Sequence, residues 1–155
     1  MGMDVQTYKD ILSQFASGVT VVLVQSQQHG VMQGKTVSSF FSLSLDPLMV
    51  GFAVNKNSPF VELLKQAPQF SVNILAEDQH LLAPRFAKAA TNTIAVDELA
   101  AHGGLNGALA TLVCCVEQTV AAGDHTLVLA TVKAGAVHQQ APPLVYWGRA
   151  YRQLK

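Results

Sequence analysis

Between Gly34 and Pro47 the chain reads Gly-Lys-Thr-Val-Ser-Ser-Phe-Phe-Ser-Leu-Ser-Leu-Asp-Pro, and apolar and hydroxylic side chains alternate along most of it. Val37, Phe41, Leu43 and Leu45 fall on odd positions; Thr36, Ser38, Ser42 and Ser44 fall on even ones, with Phe40 the exception. A period of two sends alternate side chains to opposite faces of a strand, so this stretch predicts one strand with a row of hydroxyls along one side. Hydroxyls taken out of water need partners. Solvent around an amphipathic edge strand supplies them, and so does an oxygen-rich anionic ligand. On pattern alone both readings stand.

The rest of the chain reads as mainly β. Tyr8, Ile11, Leu12 and Phe15 recur at helical spacing, with Gly18 placed to end the helix. Gly18 to Gln25 is β-branched and almost continuously apolar, the signature of a strand covered on both faces. Ser26 to Gly30 reads as a hairpin loop, Asp46-Pro47 as a strand break, and Leu48 to Val54 as a second buried strand whose Gly51 marks a bulge or a close approach. Asn57-Ser58-Pro59 has the grammar of a helix start, with Ser58 as the cap, Glu62 in the first turn and Pro68 beyond the end at Gln66. Gln69 to Leu75 alternates as a strand. Glu77 to Ala87 is helical, with Leu81, Leu82 and Phe86 on one side and Pro84 dividing it into two short pieces. Lys88 to Gly107 predicts loop with a little extended structure. Ala108 to Val120 and Thr126 to Ala134 are long strands around a tight Gly123-Asp124-His125 turn, and Leu144 to Trp147 with Tyr151 to Leu154 form a last hairpin. Strands so apolar are best closed into a barrel, which hides their edges.

Composition narrows the function. A chain of 155 residues predicts a single domain over 1–155. Half the residues are hydrophobic and 13% are charged, which argues against disorder and suits burial of a further face in an oligomer. Ten Lys and Arg balance ten Asp and Glu, so the basic field that nucleic acid requires is missing. Cys114 and Cys115, adjacent in a strand, point to opposite faces, and neither has a second thiol at metal spacing; they read as small hydrophobes in a reducing compartment. With no basic-then-apolar leader and no membrane-length apolar run, the expectation is a cytoplasmic protein without membrane contact. The five histidines are dispersed, so nothing points to a metal, and no nucleophile elbow, HExxH or P-loop occurs. Chemistry on such a chain rests on an organic cofactor.

Several fragments point to one family when taken in order: Phe15-Ala16-Ser17-Gly18-Val19-Thr20-Val21-Val22; Gly34-x-Thr36-x-Ser38-Ser39-Phe40-x-Ser42-x-Ser44-Leu45-Asp46-Pro47; Asn57-Ser58; Phe70-x-Val72-Asn73-x-Leu75; and Arg85-Phe86-Ala87. Leu105-x-Gly107-Ala108, Cys115, Gly123-Asp124-His125-Thr126-Leu127 and Trp147-Gly148-Arg149-x-Tyr151 follow in the C-terminal half. Over roughly Phe15 to Leu154 the chain resembles the flavin reductase-like family, whose members reduce free flavin for partner monooxygenases. The resemblance implies an FMN-binding split β-barrel with a few short peripheral helices, assembled as a homodimer. It also implies FMN or FAD as flavin and NADH or NADPH as hydride donor; without an obvious arginine cluster for a 2′-phosphate, NADH is preferred. The alternative is a non-catalytic electron carrier or sensor that holds FMN tightly.

By the same resemblance, Thr36, Val37, Ser38 and Ser39 line the ribityl and phosphate groups, where hydroxyls and backbone N–H groups suit phosphate oxygens. Phe52, Ala53, Val54 and Asn55 lie along the ring system. Ser58 and Arg85 complete the phosphate end, with Phe86 beside them; simple capping for Ser58, a solvated charge for Arg85 and a core position for Phe86 are the competing readings. Lys35 either adds a phosphate contact or is exposed. His125 falls on the nicotinamide side with Gly148, Arg149 and Tyr151, and could orient the carboxamide or balance charge as hydride moves; a turn histidine and a packing tyrosine are the alternatives.

Overall fold

The computed structural model describes residues 2–27, 30–88 and 92–155. The expected loop at positions 28 and 29, and the expected loop at 89–91, lie outside the described residues. The chain opens with α1 (Val5–Leu12), capped by Asp4, whose carboxylate accepts from the Thr7 N–H at 3.0 Å. The helix stops at Ser13, well short of Gly18, because Gly18 belongs to the two-residue strand β1 (Ser17–Gly18) paired with Val145 and Tyr146. Its apolar stripe is real, yet in the single chain it covers nothing: Tyr8, Ile11, Leu12 and Phe15 are all exposed, Phe15 at 76%.

The run after Gly18 becomes β2 (Thr20–Gln25), and Val21 to Val24 are fully buried, as two-sided coverage requires. Val22 and Val24 face one core with Phe52, Phe60, Leu64 and Val72; Val21 and Leu23 face another with Leu75, Phe86, Leu105 and Leu144. Each such side chain contributes about 1.5–3 kcal/mol by leaving water. On one side β2 pairs with β3 (Met32–Val37), and the expected single strand ends there. Ser38, Ser39 and Phe40 leave the ladder before β4 (Phe41–Leu45) begins. The reason is pairing: β4 joins β5 (Leu48–Asn55) at the far end of the sheet, so the chain must cross between two distant strand partners. Alternation therefore fails beyond Val37. Leu45 is 83% exposed, and Phe41 and Leu43 are exposed with it on the sheet edge. Gly51 proves to be a close approach: a Cβ there would come within 2.3 Å of the Phe41 ring, and the irregularity in register lies between Ser42 and Ser44 instead.

Helix α2 (Phe60–Gln66) follows, then β6 (Phe70–Ile74), which pairs with the other side of β2. A short 3-10 turn (Glu77–Gln79) precedes α3 (Leu82–Lys88). Pro84 lies in the first turn of α3, where its missing N–H breaks no bond, and so divides the predicted helix without kinking the second piece. Leu81 is left outside; Phe86 is completely buried. After β7 (Asn92–Thr93) come β8 (Ala110–Ala122) and β9 (His125–Val137), two 13-residue arms joined at Gly123-Asp124 with Gly123 at φ 61°. Positive φ at the first central residue is what a two-residue hairpin of this hand needs. Among the described residues the strands form an eight-stranded antiparallel sheet in the order β4-β5-β9-β8-β6-β2-β3-β7. A three-stranded sheet joins β1 to β10 (Leu144–Trp147) and β11 (Ala150–Gln153). Cys114 and Cys115 are free thiols; burial pushes Cys114 up to about 12.

Candidate functional site

Four separate elements converge on one cleft. Lys35, Thr36 and Val37 come from the end of β3, Ser38 and Ser39 from the segment that leaves it, and Ala53, Val54 and Asn55 from β5. Ala87 comes from α3 and His125 from the first position of β9. The cleft holds about 320 Å³, within the span of about 300–1,000 Å³ typical of small-molecule sites. Its His125 corner is built by register: Asn55 and His125 are direct partners across β5 and β9, and the Lys56 N–H donates to the Asp124 carbonyl at 3.1 Å. Asp124 Oδ1 lies 2.7 Å from His125 Nδ1, and among the described residues Nε2 has no hydrogen-bond partner.

The hydroxyl row divides. Thr36 donates to the Ala83 carbonyl at 2.6 Å, which ties β3 to α3. Ser39 Oγ accepts from the Ala53 N–H at 2.9 Å and lies 3.2 Å from the Ala53 carbonyl, so it staples the departing segment to β5. Ser38 is exposed and has no side-chain hydrogen bond among the described residues. Ser42 and Ser44 lie on β4, outside the cleft lining, and Ser44 accepts from the Asp46 N–H at 3.3 Å. A single face of four ligand-directed hydroxyls is therefore not formed.

A smaller cleft of about 180 Å³ adjoins the first, sharing Thr36, Ser38 and Ala87 and adding Tyr146 and Tyr151. The two tyrosines are cross-strand partners with ring centroids 5.4 Å apart. Burial, followed by the neighbouring Tyr146, raises the Tyr151 phenol above its ordinary value. Sequence reasoning missed Ala87 and Tyr146 as lining residues. The hairpin rule held the signal for Tyr146: a two-residue turn at Gly148-Arg149 makes Tyr146 the opposite number of Tyr151. Both turn residues have positive φ (59° and 60°).

Other candidates lie elsewhere. Phe52 turns its ring into the core, edge-on to Phe70 at 5.8 Å. Ser58 accepts from the Phe60 N–H at 3.3 Å, but the cap of α2 is Pro59, one residue later than expected. Arg85 is bound by both carboxylate oxygens of Glu98, donates to the Thr93 carbonyl at 3.2 Å and lies 4.7 Å from the Phe86 ring centroid. Phe86 supports β3 from beneath: a Cβ on Gly34 would meet its ring at 3.0 Å. Gly148 and Arg149 are outside both clefts and fasten the hairpin to α1, through the Gly148 N–H to the Ser13 carbonyl at 2.9 Å and an ion pair from Arg149 to Asp10.

Arg85 holds the Glu98 carboxyl below its ordinary value of 4.5. A depressed carboxylate stabilises the fold above its unfolded pKa, and that contribution is lost as pH falls through the lower folded value. Both partners are partly exposed, so Glu98→Gln is expected to cost no more than about 1 kcal/mol at pH 7. Urea melts of the two proteins should converge as pH is taken below 4.5; a gap that persists in acid would contradict this.

Chemically, an ammonium from Lys35, the Ser38 hydroxyl and the backbone of an irregular segment suit an anion at one end of the cleft, the Thr36 hydroxyl being spent on Ala83. Val37, Ala53, Val54 and Ala87 give flat apolar walls. That donor set fits a phosphorylated ring compound.

The flavin reductase like domain family matches this chain over residues 12–155. The reductase component of 4-hydroxyphenylacetate 3-monooxygenase from Thermus thermophilus is 36% identical over 149 residues, 96% of each chain. The NADH-dependent flavin reductase StyB of Pseudomonas fluorescens is 32% identical over 154 residues, 96% of this chain and 89% of that one. Among solved structures, a flavin reductase in its native state superposes with a TM-score of 0.86 at 32% identity, covering 99% of both chains.

Proposed function

Because this chain belongs to the flavin reductase-like domain family, we propose that it transfers a hydride from NADH to FMN or FAD and releases the reduced flavin to a partner monooxygenase. The observation that carries the reading is the convergence of Lys35 to Ser39, Ala53 to Asn55 and His125 on one cleft. When bound, flavin supplies a ring that accepts the hydride, with its electron pair, from the dihydronicotinamide, and takes a further proton from solvent. The protein's part is positioning, since stacked rings transfer hydride only across a narrow separation. Lys35, Ser38 and the backbone of the segment leaving β3 hold the phosphate end, and Ser39 sets the entry angle of that segment through Ala53. Ala53, Val54 and Asn55 lie along the ring. His125, its Nδ1 engaged by Asp124, presents Nε2 toward the hydride donor. Tyr146 and Tyr151 wall the adjoining cleft, beside the phosphate end.

The enzyme works as a homodimer in the cytoplasm. Supporting the dimer are the uncovered apolar faces of α1 and of the β4 edge, where Val5 and Leu45 are largely exposed; supporting the compartment are two free thiols. Light scattering should give twice the chain mass of 16.5 kDa, and a monomer at micromolar concentration would refute the assembly.

The decisive assay mixes purified protein with NADH, with and without FMN. Colourless protein that oxidises NADH only when flavin is added supports the reductase; a yellow protein inert towards NADH would support a flavin-holding carrier, which the named activities of the relatives do not favour. His125→Ala is expected to slow flavin reduction by about 10- to 100-fold while flavin affinity changes little. An unaltered single-turnover rate removes His125 from the chemistry.

A further inference from the structure

Strand β2 has two ends, and the cleft at Lys35 to Ser39 lies at only one of them. Thr20 faces Val37 where β3 gives way to Ser38, whereas Gln25 faces Met32 at the other end, about 17 Å away at about 3.3 Å per residue. At that second end a cavity of about 380 Å³ opens between the sheet and the loop at 99–103, within the span of about 300–1,000 Å³ usual for small-molecule sites. It shares no lining residue with the first cleft.

Strand register lays out its floor. Leu23, Ser71 and Val113 are successive cross-strand partners on β2, β6 and β8, so their side chains share one face. Thr111 lies two residues along β8 on the same face, and Met32 and Leu99 add apolar walls. Gln25, Gln69 and His102 are exposed and form the rim. Among the described residues no Asp, Glu, Lys or Arg lines the space.

The hydrogen bonds beneath it leave one buried donor over. The Leu105 N–H fixes the orientation of the Asn73 amide, with Oδ1 as acceptor and Nδ2 as donor. Nδ2 donates to Ser71 Oγ at 3.1 Å, and the Thr111 hydroxyl donates to Oδ1 at 2.9 Å. Thr111 has thus spent its hydrogen. Ser71 has not: among the described residues its O–H meets no acceptor, although the residue is only 8% exposed. A buried donor left so is costly and rare. At the rim, His102 Nδ1 accepts from the Gly104 N–H at 3.1 Å, so the neutral ring carries its hydrogen on Nε2. Stacking on His138 at 4.0 Å holds that ring in place.

We propose that this cavity is a second binding site, for a small uncharged aromatic molecule carrying a carbonyl oxygen. The oxygen accepts from the Ser71 hydroxyl, and the ring lies on Leu23 and Val113 between Met32 and the His102 imidazole. A charged ligand is disfavoured, because nothing in the lining offsets its desolvation. The assignment does not depend on the reductase reading.

Amide NMR of the protein with 2-naphthamide tests the site, with 2-naphthoate as the charged isostere. Naphthamide should shift the Ser71, His102 and Val113 signals saturably, with a dissociation constant on the order of 100 μM. Naphthoate should bind at least about tenfold more weakly. Ser71→Ala should weaken naphthamide by about five- to tenfold, and Val113→Phe, which fills the space, by more than about tenfold. FMN should leave the naphthamide shifts in place, since the two spaces have no wall in common. Shifts that are absent or do not saturate would overturn the site. So would naphthoate binding as tightly as naphthamide, an unchanged affinity in Ser71→Ala, or displacement by FMN. If Ser71→Ala does not fold, having cost Asn73 a partner, Val113→Phe and the naphthoate comparison decide the matter.

Discussion

Replacing Asn73 by Leu is expected to destabilise the protein by about 3–5 kcal/mol and to lower its melting temperature by on the order of 10 °C. Asn73 is fully buried on β6, and its amide binds in four directions. Nδ2 donates to the Val21 carbonyl and to Ser71 Oγ, both at 3.1 Å. Oδ1 accepts from the Leu105 N–H and from Thr111 Oγ1, both at 2.9 Å. Leu has a similar volume, so the loss is polar: buried donors and acceptors on β2, β8 and the Leu105 loop are left without partners at about 1–3 kcal/mol each. The damage should spread. Thr111 donates its hydroxyl hydrogen to Asn73, so it accepts from His138 Nε2, and the His138 ring stacks on His102 at 4.0 Å. Thr111→Val should cost less, and in the double variant the two effects should not add, because the residues share one network. A melting point within 2 °C or so of the parent would mean that the network carries little of the fold's stability.

Ser38→Asp is expected to weaken FMN binding by at least about 30-fold while riboflavin affinity changes by less than about threefold. A carboxylate set some 4–5 Å from a phosphate in a half-wet cleft repels it by about 2–4 kcal/mol, and riboflavin has no phosphate to repel. Ser38 is the right position because its side chain is exposed and bonds nothing among the described residues. Ser39, by contrast, already spends its hydroxyl on Ala53, so an Asp there would disturb the segment as well as the charge. Isothermal titration with both flavins separates the outcomes. Equal weakening of FMN and riboflavin would mean that the phosphate lies elsewhere.

Much of the architecture was legible along the chain because it is decided by neighbours in sequence. Two-sided burial of β2, the division of the Glu77 to Ala87 stretch into two short helical pieces and the tight turns at Gly123 and Gly148 all follow from local sterics and periodicity, while the α2 cap falls on Pro59, one residue after the expected Ser58. The order of family fragments likewise brought most of the cleft within reach, since Thr36 to Ser39, Ala53 to Asn55 and His125 do line one space.

Three features could be decided only in three dimensions. Periodicity reports which side chains share a face but not what that face meets, and in the folded chain the apolar positions of α1 and β4 are exposed. The Gly34 to Pro47 stretch breaks because β3 and β4 pair at distant places in the sheet, a constraint invisible within the stretch itself. Finally, a polar group's partner depends on long-range packing: Arg85 is held by Glu98, Ser39 by Ala53 and Arg149 by Asp10. The residues therefore declared the kinds of chemistry on offer, and the folded contacts determined which groups remain available for it.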